Sequence, residues 1–215
     1  MSSPGYVLVP AERVARWFAN FEDRHGATSY TVAEGALHAG AEDGSTAEAR
    51  LPFDVRYDGP ALPDPFMAAL SLPELWGVLL VRKGGFAVGR LEGRALVEHK
   101  IGQRHVQGRT KAGGQSQQRF ARRRDNQARA AYDAAADHAA RILVGPLTAL
   151  VVGGDHTAVQ AVLADPRLGP VAGHVVGPWL PVPDPRRAVL DAAVADACSV
   201  RIDVLNAGAR GRAAR

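Results

Sequence analysis

Apolar positions first fall into a helical rhythm over residues 10–25, where Val14, Trp17, Phe18 and Phe21 recur at short spacings and Pro10 stands at the start. The rhythm then shortens. Residues 28–32 and 34–39 read as short strands turning around Gly35, residues 40–45 as a polar turn, and residues 49–57 alternate like a further strand. Residues 59–65 (GPALPDP) are too rich in proline for the interior of a helix or strand and read as a connector.

Beyond the connector the pattern sharpens. Residues 77–81 (GVLLV) and 86–91 (FAVGRL) flank Arg82-Lys83-Gly84-Gly85, which predicts a hairpin with a glycine turn. Residues 95–100 (ALVEHK) add a third strand after a Glu92-Gly93-Arg94 turn, completing a meander. Residues 101–115 show no periodicity and hold four glycines, so a long exposed loop is expected there. Residues 116–143 follow as one long helix, alanine-rich in its second half and stopped by Gly145-Pro146. Residues 147–152 (LTALVV) read as a buried strand. Gly153-Gly154-Asp155 then leads into a helix that Asp155 would cap, residues 174–176 into a short strand, and residues 186–205 into a last helix.

A meander followed by alternating helices and strands predicts an α/β (α+β) fold with a mixed β-sheet covered by helices. The expected organisation is one domain over residues 1–205. Within it, residues 1–58 hold the first helix and strands, 59–75 the connector and 76–205 the core, with 206–215 as a basic flexible tail.

Composition adds little to this picture until charge is located. An apolar fraction of 47% and a charged fraction of 22% are those of an ordinary globular chain. Cys198 is the only cysteine, which excludes an intramolecular disulfide and a thiolate metal cluster. The opening MSSPGYVLVPAERVARW carries too short an apolar run for a signal peptide, and no run is long enough to span a bilayer. A soluble, cytoplasmic protein is therefore expected. Net charge is +4 overall, yet residues 100–129 contain nine Lys or Arg against one acid, Asp125. A basic segment on an otherwise acidic body is the electrostatic footprint of a nucleic-acid partner.

That segment contains GRTKAGGQSQQRFARRR, residues 108–124. Glycine gives backbone freedom, glutamine is polar without titrating, and arginine suits phosphate. The run Gly113-Gly114-Gln115-Ser116 with Arg119-Phe120-Ala121-Arg122, after a hairpin and a strand ending His99-Lys100, resembles the central domain of eukaryotic and archaeal class I peptide-chain release factors. The resemblance covers residues 76–205. Residues 1–75 hold nothing like those factors' stop-codon-reading domain, and their partner-binding C-terminal domain has no counterpart. What remains is similar to the stand-alone Vms-like release factor (VLRF) family, of an actinobacterial type with a ribonuclease H-like outline. That family's looser G-x-x-Q loop meets Ala112 here, where its first glycine would fall, while Gly113-Gly114-Gln115 is intact.

The resemblance implies a stop-codon-independent peptidyl-tRNA hydrolase that rescues stalled ribosomes, acting at the peptidyl-transferase centre of the large subunit. Gly113, Gly114 and Gln115 would be its catalytic residues, with Gln117 and Gln118 as alternative glutamines. Lys100, Arg104, Arg109, Lys111, Arg119, Arg122, Arg123, Arg124 and Arg129 would contact RNA. No cofactor, metal, membrane or disulfide partner is expected. His99, His105 and His138 lack the spacing of a zinc site, and Gly153-Gly154-Asp155 lacks the lysine and serine of a P-loop. Trp17, Phe18 and Phe21 read as packing and Cys198 as core. Two other readings stand beside the hydrolase: a non-catalytic RNA- or ribosome-binding module with the same fold, and a tRNA 3′-end nuclease, which would want clustered carboxylates and metal.

Overall fold

The computed structural model describes residues 5–103 and 115–207, and over 115–128 the helix backbone alone. Its elements run β1 (Tyr6–Val9), α1 (Ala11–His25), β2 (Thr28–Ala33), β3 (Ala36–Ala41), β4 (Thr46–Arg50), α2 (Pro63–Ala68), β5 (Leu75–Arg82), β6 (Gly85–Glu92) and β7 (Ala95–Gln103). They continue through α3 (Gln115–Ile142), β8 (Ala149–Gly154), α4 (His156–Leu163), α5 (Gly169–Ala172), β9 (Val175–Leu180), α6 (Arg187–Ala197) and β10 (Val200–Leu205). The fold is mixed α/β. The chain divides into two compact units, Met1–Leu72 with Ala195–Arg215, and Pro73–Val194.

The first unit is an antiparallel sheet in the order β1-β10-β4-β3-β2. The apolar stripe of α1 places Val14, Phe18 and Phe21 in one buried cluster with Leu37, Ala49, Val200 and Ile202. Trp17 stacks on Phe21 at 5.5 Å, so these aromatics are packing. The β2–β3 turn puts both Glu34 and Gly35 at positive φ, 52° and 78°, as the tight hairpin turns that match strand twist require. Two expectations fail in this unit. The strand expected over 49–57 ends at Arg50, because Pro52 has no N–H to give a ladder and the chain enters a 3₁₀ turn over Pro52–Asp54. The helix expected over 186–205 ends at Ala197. Val200, Ile202 and Val204 then alternate with Arg201 and Asp203, a period of two that makes β10 and seats it between β1 and β4. The connector also carries structure: α2 starts at Pro63, and Phe66 is fully buried against Tyr57.

The second unit holds a mixed sheet in the order β7-β6-β5-β8-β9. β5, β6 and β7 form the expected antiparallel meander, and β8 and β9 run parallel to β5. Trp76 is fully buried at the base of β5 and donates from Nε1 to the Gly93 carbonyl at 2.7 Å. On one face Leu79, Val81, Val88 and Val152 pack against Ala135, Ala139 and Ile142 of α3 and Ala158 and Val162 of α4. At about 25 cal/mol per Å² of apolar surface this cluster is the main force holding α3 to the sheet.

Candidate functional site

Two strand ends and one helix start frame the candidate site. β7 finishes at Gln103, paired with Gly85, and α3 opens at Gln115. Gly113 and Gly114, with Arg104, Arg109 and Lys111, fall between them and lie outside the described residues, as does His105. Gln115 is the first residue of α3. The first N–H groups of a helix have no acceptor within it, and they carry the positive end of the helix dipole. A donor-rich, positive terminus therefore stands at the position where the glutamine was expected.

α3 runs antiparallel to β5. Near the carboxyl end of the parallel strands His138 stacks on Phe86 at 5.6 Å, while at the other end the Leu143 side chain fills the space beside Gly77. Arg90 fastens that end, donating from Nη1 to the Val144 carbonyl at 2.6 Å. Among the side chains of α3 that the structure describes, Ala131, Ala135, Ala136, Ala139 and Ile142 are buried. Gln115, at the head of the helix, lies about 24 Å along its axis from Ala131.

The basic positions sort themselves along this helix. At about 100° per residue, positions 119, 122, 123 and 129 fall on the side of α3 opposite Ala131, Ala135, Ala139 and Ile142. Arg129 is exposed. Position 124 falls instead on the line of Ala131 and Ala135, so the five arginines do not form a single stripe. Lys100, also exposed, pairs with Val88 and so lies on the sheet face that carries α3. On the same face Glu98 forms an ion pair with Arg141 of α3.

The other polar features near the sheet are structural. Nη1 of Arg187 lies 3.2 Å from Nε2 of His99; a guanidinium only donates, so that ring nitrogen accepts. Among the described residues no group of three or more His, Cys, Asp or Glu could hold a metal ion. Asp155 caps α4, accepting from the Thr157 N–H at 3.2 Å. Arg167 ties α3 to the segment after α4 through Asp137 and Asp165, each at 2.7 Å, and its hydrogen bonds hold the Asp165 carboxyl down at about 2. Cys198 is buried. Among the described residues no helix is long and apolar enough to cross a membrane.

One aromatic feature carried no signal in the sequence. His156, the first residue of α4, stacks on Trp179 of β9, with ring centroids 3.5 Å apart and planes 12° apart. Only the pairing of β8 with β9 brings these residues together.

Comparison with known proteins adds the following. The model of the family described as Actinobacteria/chloroflexi VLRF1 release factor matches residues 74–203. No curated protein matches the chain. Among solved structures, the Vms1 mitochondrial localization core is similar at 12% identity and a TM-score of 0.40, over 93% of this chain and 84% of that one. An archaeal protein shares 15% identity at a TM-score of 0.36, over 74% of this chain and 51% of the other. The crystal structure of the archaeal translation termination factor aRF1 shares 14% at 0.32, over 80% and 49%. The matched region thus spans about half the length of the last two. Superpositions this loose do not transfer a site from one chain to another.

Proposed function

The chain belongs to the Actinobacteria/chloroflexi VLRF1 release-factor family, and from that premise we propose that it hydrolyses peptidyl-tRNA on stalled ribosomes or large subunits, in the cytoplasm and without reading a codon. The observation that carries the reading is the placement of Gln115. It follows two glycines and opens a 28-residue helix whose far half is anchored on the sheet.

Hydrolysis of the ester linking peptide to tRNA passes through a tetrahedral oxyanion, with the ribose 3′-oxygen leaving. A neutral glutamine cannot act as general base near pH 7. Its backbone N–H, at the head of α3, is free of any acceptor in the helix and is suited to the developing negative charge. Its side chain orients or restricts the attacking water. Gly113 and Gly114 keep the approach narrow, since neither adds a side chain beside the tRNA end. Arg119, Arg122, Arg123 and Arg129, with Lys100, Arg104, Arg109 and Lys111, neutralise RNA phosphates around them, and Arg124 takes a separate position on the helix.

Purified protein added to stalled ribosome–nascent-chain complexes should liberate the peptide whatever codon occupies the A site, and leave the tRNA with an intact CCA end. Gly114→Val should lower the release rate by about a hundredfold or more, the scale of a lost oxyanion donor. Gln115→Ala keeps the N–H and should lose less. Release confined to stop codons, or a shortened tRNA, overturns the proposal. Full activity in both variants takes the catalytic role away from Gly114 and Gln115, and no release by the parent moves the assignment to a non-catalytic ribosome-binding module.

A further inference from the structure

The His156–Trp179 stack plays no part in the chemistry proposed above, yet it is built in a way that simple packing does not require. Trp179 is half-buried against the core of its unit, and its indole N–H is committed to the Gly154 carbonyl at 3.2 Å. Its orientation is therefore fixed. His156 lies flat on that fixed ring and is itself exposed. The result is a rigid two-ring stack open to solvent on the imidazole side.

The surroundings narrow what such a surface would take. The aliphatic stem of Arg82 borders the space a Cβ on Gly154 would take, and its guanidinium pairs with Asp184 at 3.4 Å. The carboxylate of Asp155 is engaged by the Thr157 N–H. With one cation against two carboxylates, these surroundings disfavour a phosphate and leave a flat, uncharged group as the fitting occupant. α4, which His156 opens, shares a buried cluster with α3 through Ala158 and Val162, and Tyr132 of α3 and Trp179 both pack against that cluster. The stack therefore stands at the head of a helix that packs beside the docked half of α3.

We infer that the His156–Trp179 stack is a platform for one unpaired base of the RNA that the basic half of α3 engages. The inference rests on the RNA-contact reading given under the proposed function. Unpaired bases stack on aromatic rings, histidine included, without regard to sequence, because every base has a π-face. The platform offers ring surface and no dedicated donor to the base edge, so it should accept any base and hold purines better than pyrimidines.

The test uses the intact chain, a short fluorescently labelled single-stranded oligoadenylate and a fully paired RNA duplex, with binding read by anisotropy. His156→Ala should weaken oligoadenylate binding about five- to a hundredfold, the span expected for one stacked base. His156→Phe, which restores a flat ring, should bind within about threefold of the parent. Neither variant should alter duplex binding, and melting temperatures check that both fold. Oligoadenylate binding unchanged in His156→Ala, a Phe variant as weak as the Ala variant, or an equal loss on the duplex each overturns the platform. If the parent binds both RNAs and only charge reversal on α3 weakens them, the platform alone falls. If the parent binds neither, the RNA-contact reading falls and takes the platform with it.

Discussion

A Cβ built at Gly102 would overlap the edge of the Phe86 ring, the same ring that stacks on His138 of α3 at 5.6 Å. Phe86 is almost wholly buried and cannot step aside without leaving that stack. Gly85, its neighbour across the strand pair, is equally closed, since a Cβ there would meet the Gly102 carbonyl. These two glycines let β6 and β7 close up at the point where the chain leaves the sheet toward Gly113. Gly102→Ala should therefore cost about 1–3 kcal/mol of stability, the range for overpacking a filled core. Gly173 is the control, because a Cβ there meets nothing within 4 Å and Gly173→Ala should be near neutral. Thermal unfolding of the two variants decides the matter: equal melting points would mean that Phe86 repacks freely. In the sequence Gly102 was one of four glycines in an aperiodic stretch. Its role depends on a ring sixteen residues away, which no local pattern reports.

At the scale of elements, α3 combines a docked half and a basic half in one unbroken helix. Its existence and bounds were legible, because the alanine-rich repeat and the Gly145-Pro146 stop are local signals. So was the meander, through its glycine turns. β10 was not, because residues 198–205 hold neither glycine nor proline and follow directly on an alanine-rich helix. β1 was missed for a related reason: it is four residues long and finds its partner almost two hundred residues later. The candidate glutamine could be read from the sequence, whereas the sorting of the arginines by helix face required knowing which face of α3 packs on the sheet. That sorting gives a prediction. Arg119, Arg122 and Arg123 reversed together to Glu should lower the salt slope of ribosome binding by about 2–3, close to one per phosphate contact. Arg124→Glu should leave the slope unchanged. Cosedimentation across a salt series measures both, and equal slopes for the two variants would dissolve the distinction between faces.

For the whole molecule the telling strand is β10. The family match reaches residue 203, inside β10, yet that strand completes the sheet of the first unit and supplies Val200 and Ile202 to its core. Ending the chain after Ser199 would leave β1 without the strand it pairs with and β4 with an open edge, and would remove two fully buried side chains. The truncated chain should melt in two steps, the first unit well below the second, whereas the parent keeps the first unit folded to a higher temperature. Hydrogen exchange would locate the loss: protection should vanish from β1 to β4 and persist in β5, β6 and β8. Uniform protection in the truncated chain would mean that β10 is dispensable.

The same strand sets an order of events at birth. The second unit is contiguous in sequence, so it has all its residues as soon as position 194 emerges. The first unit begins the chain but waits for β10, 150 residues after the end of β4, which at ordinary rates of synthesis is a delay of about 8–30 s. For that interval the apolar face of α1 and the strands β2 to β4 are held without the strand that pairs with β4. The part made first is finished last, and its exposed edges during synthesis are where a chaperone would find this protein.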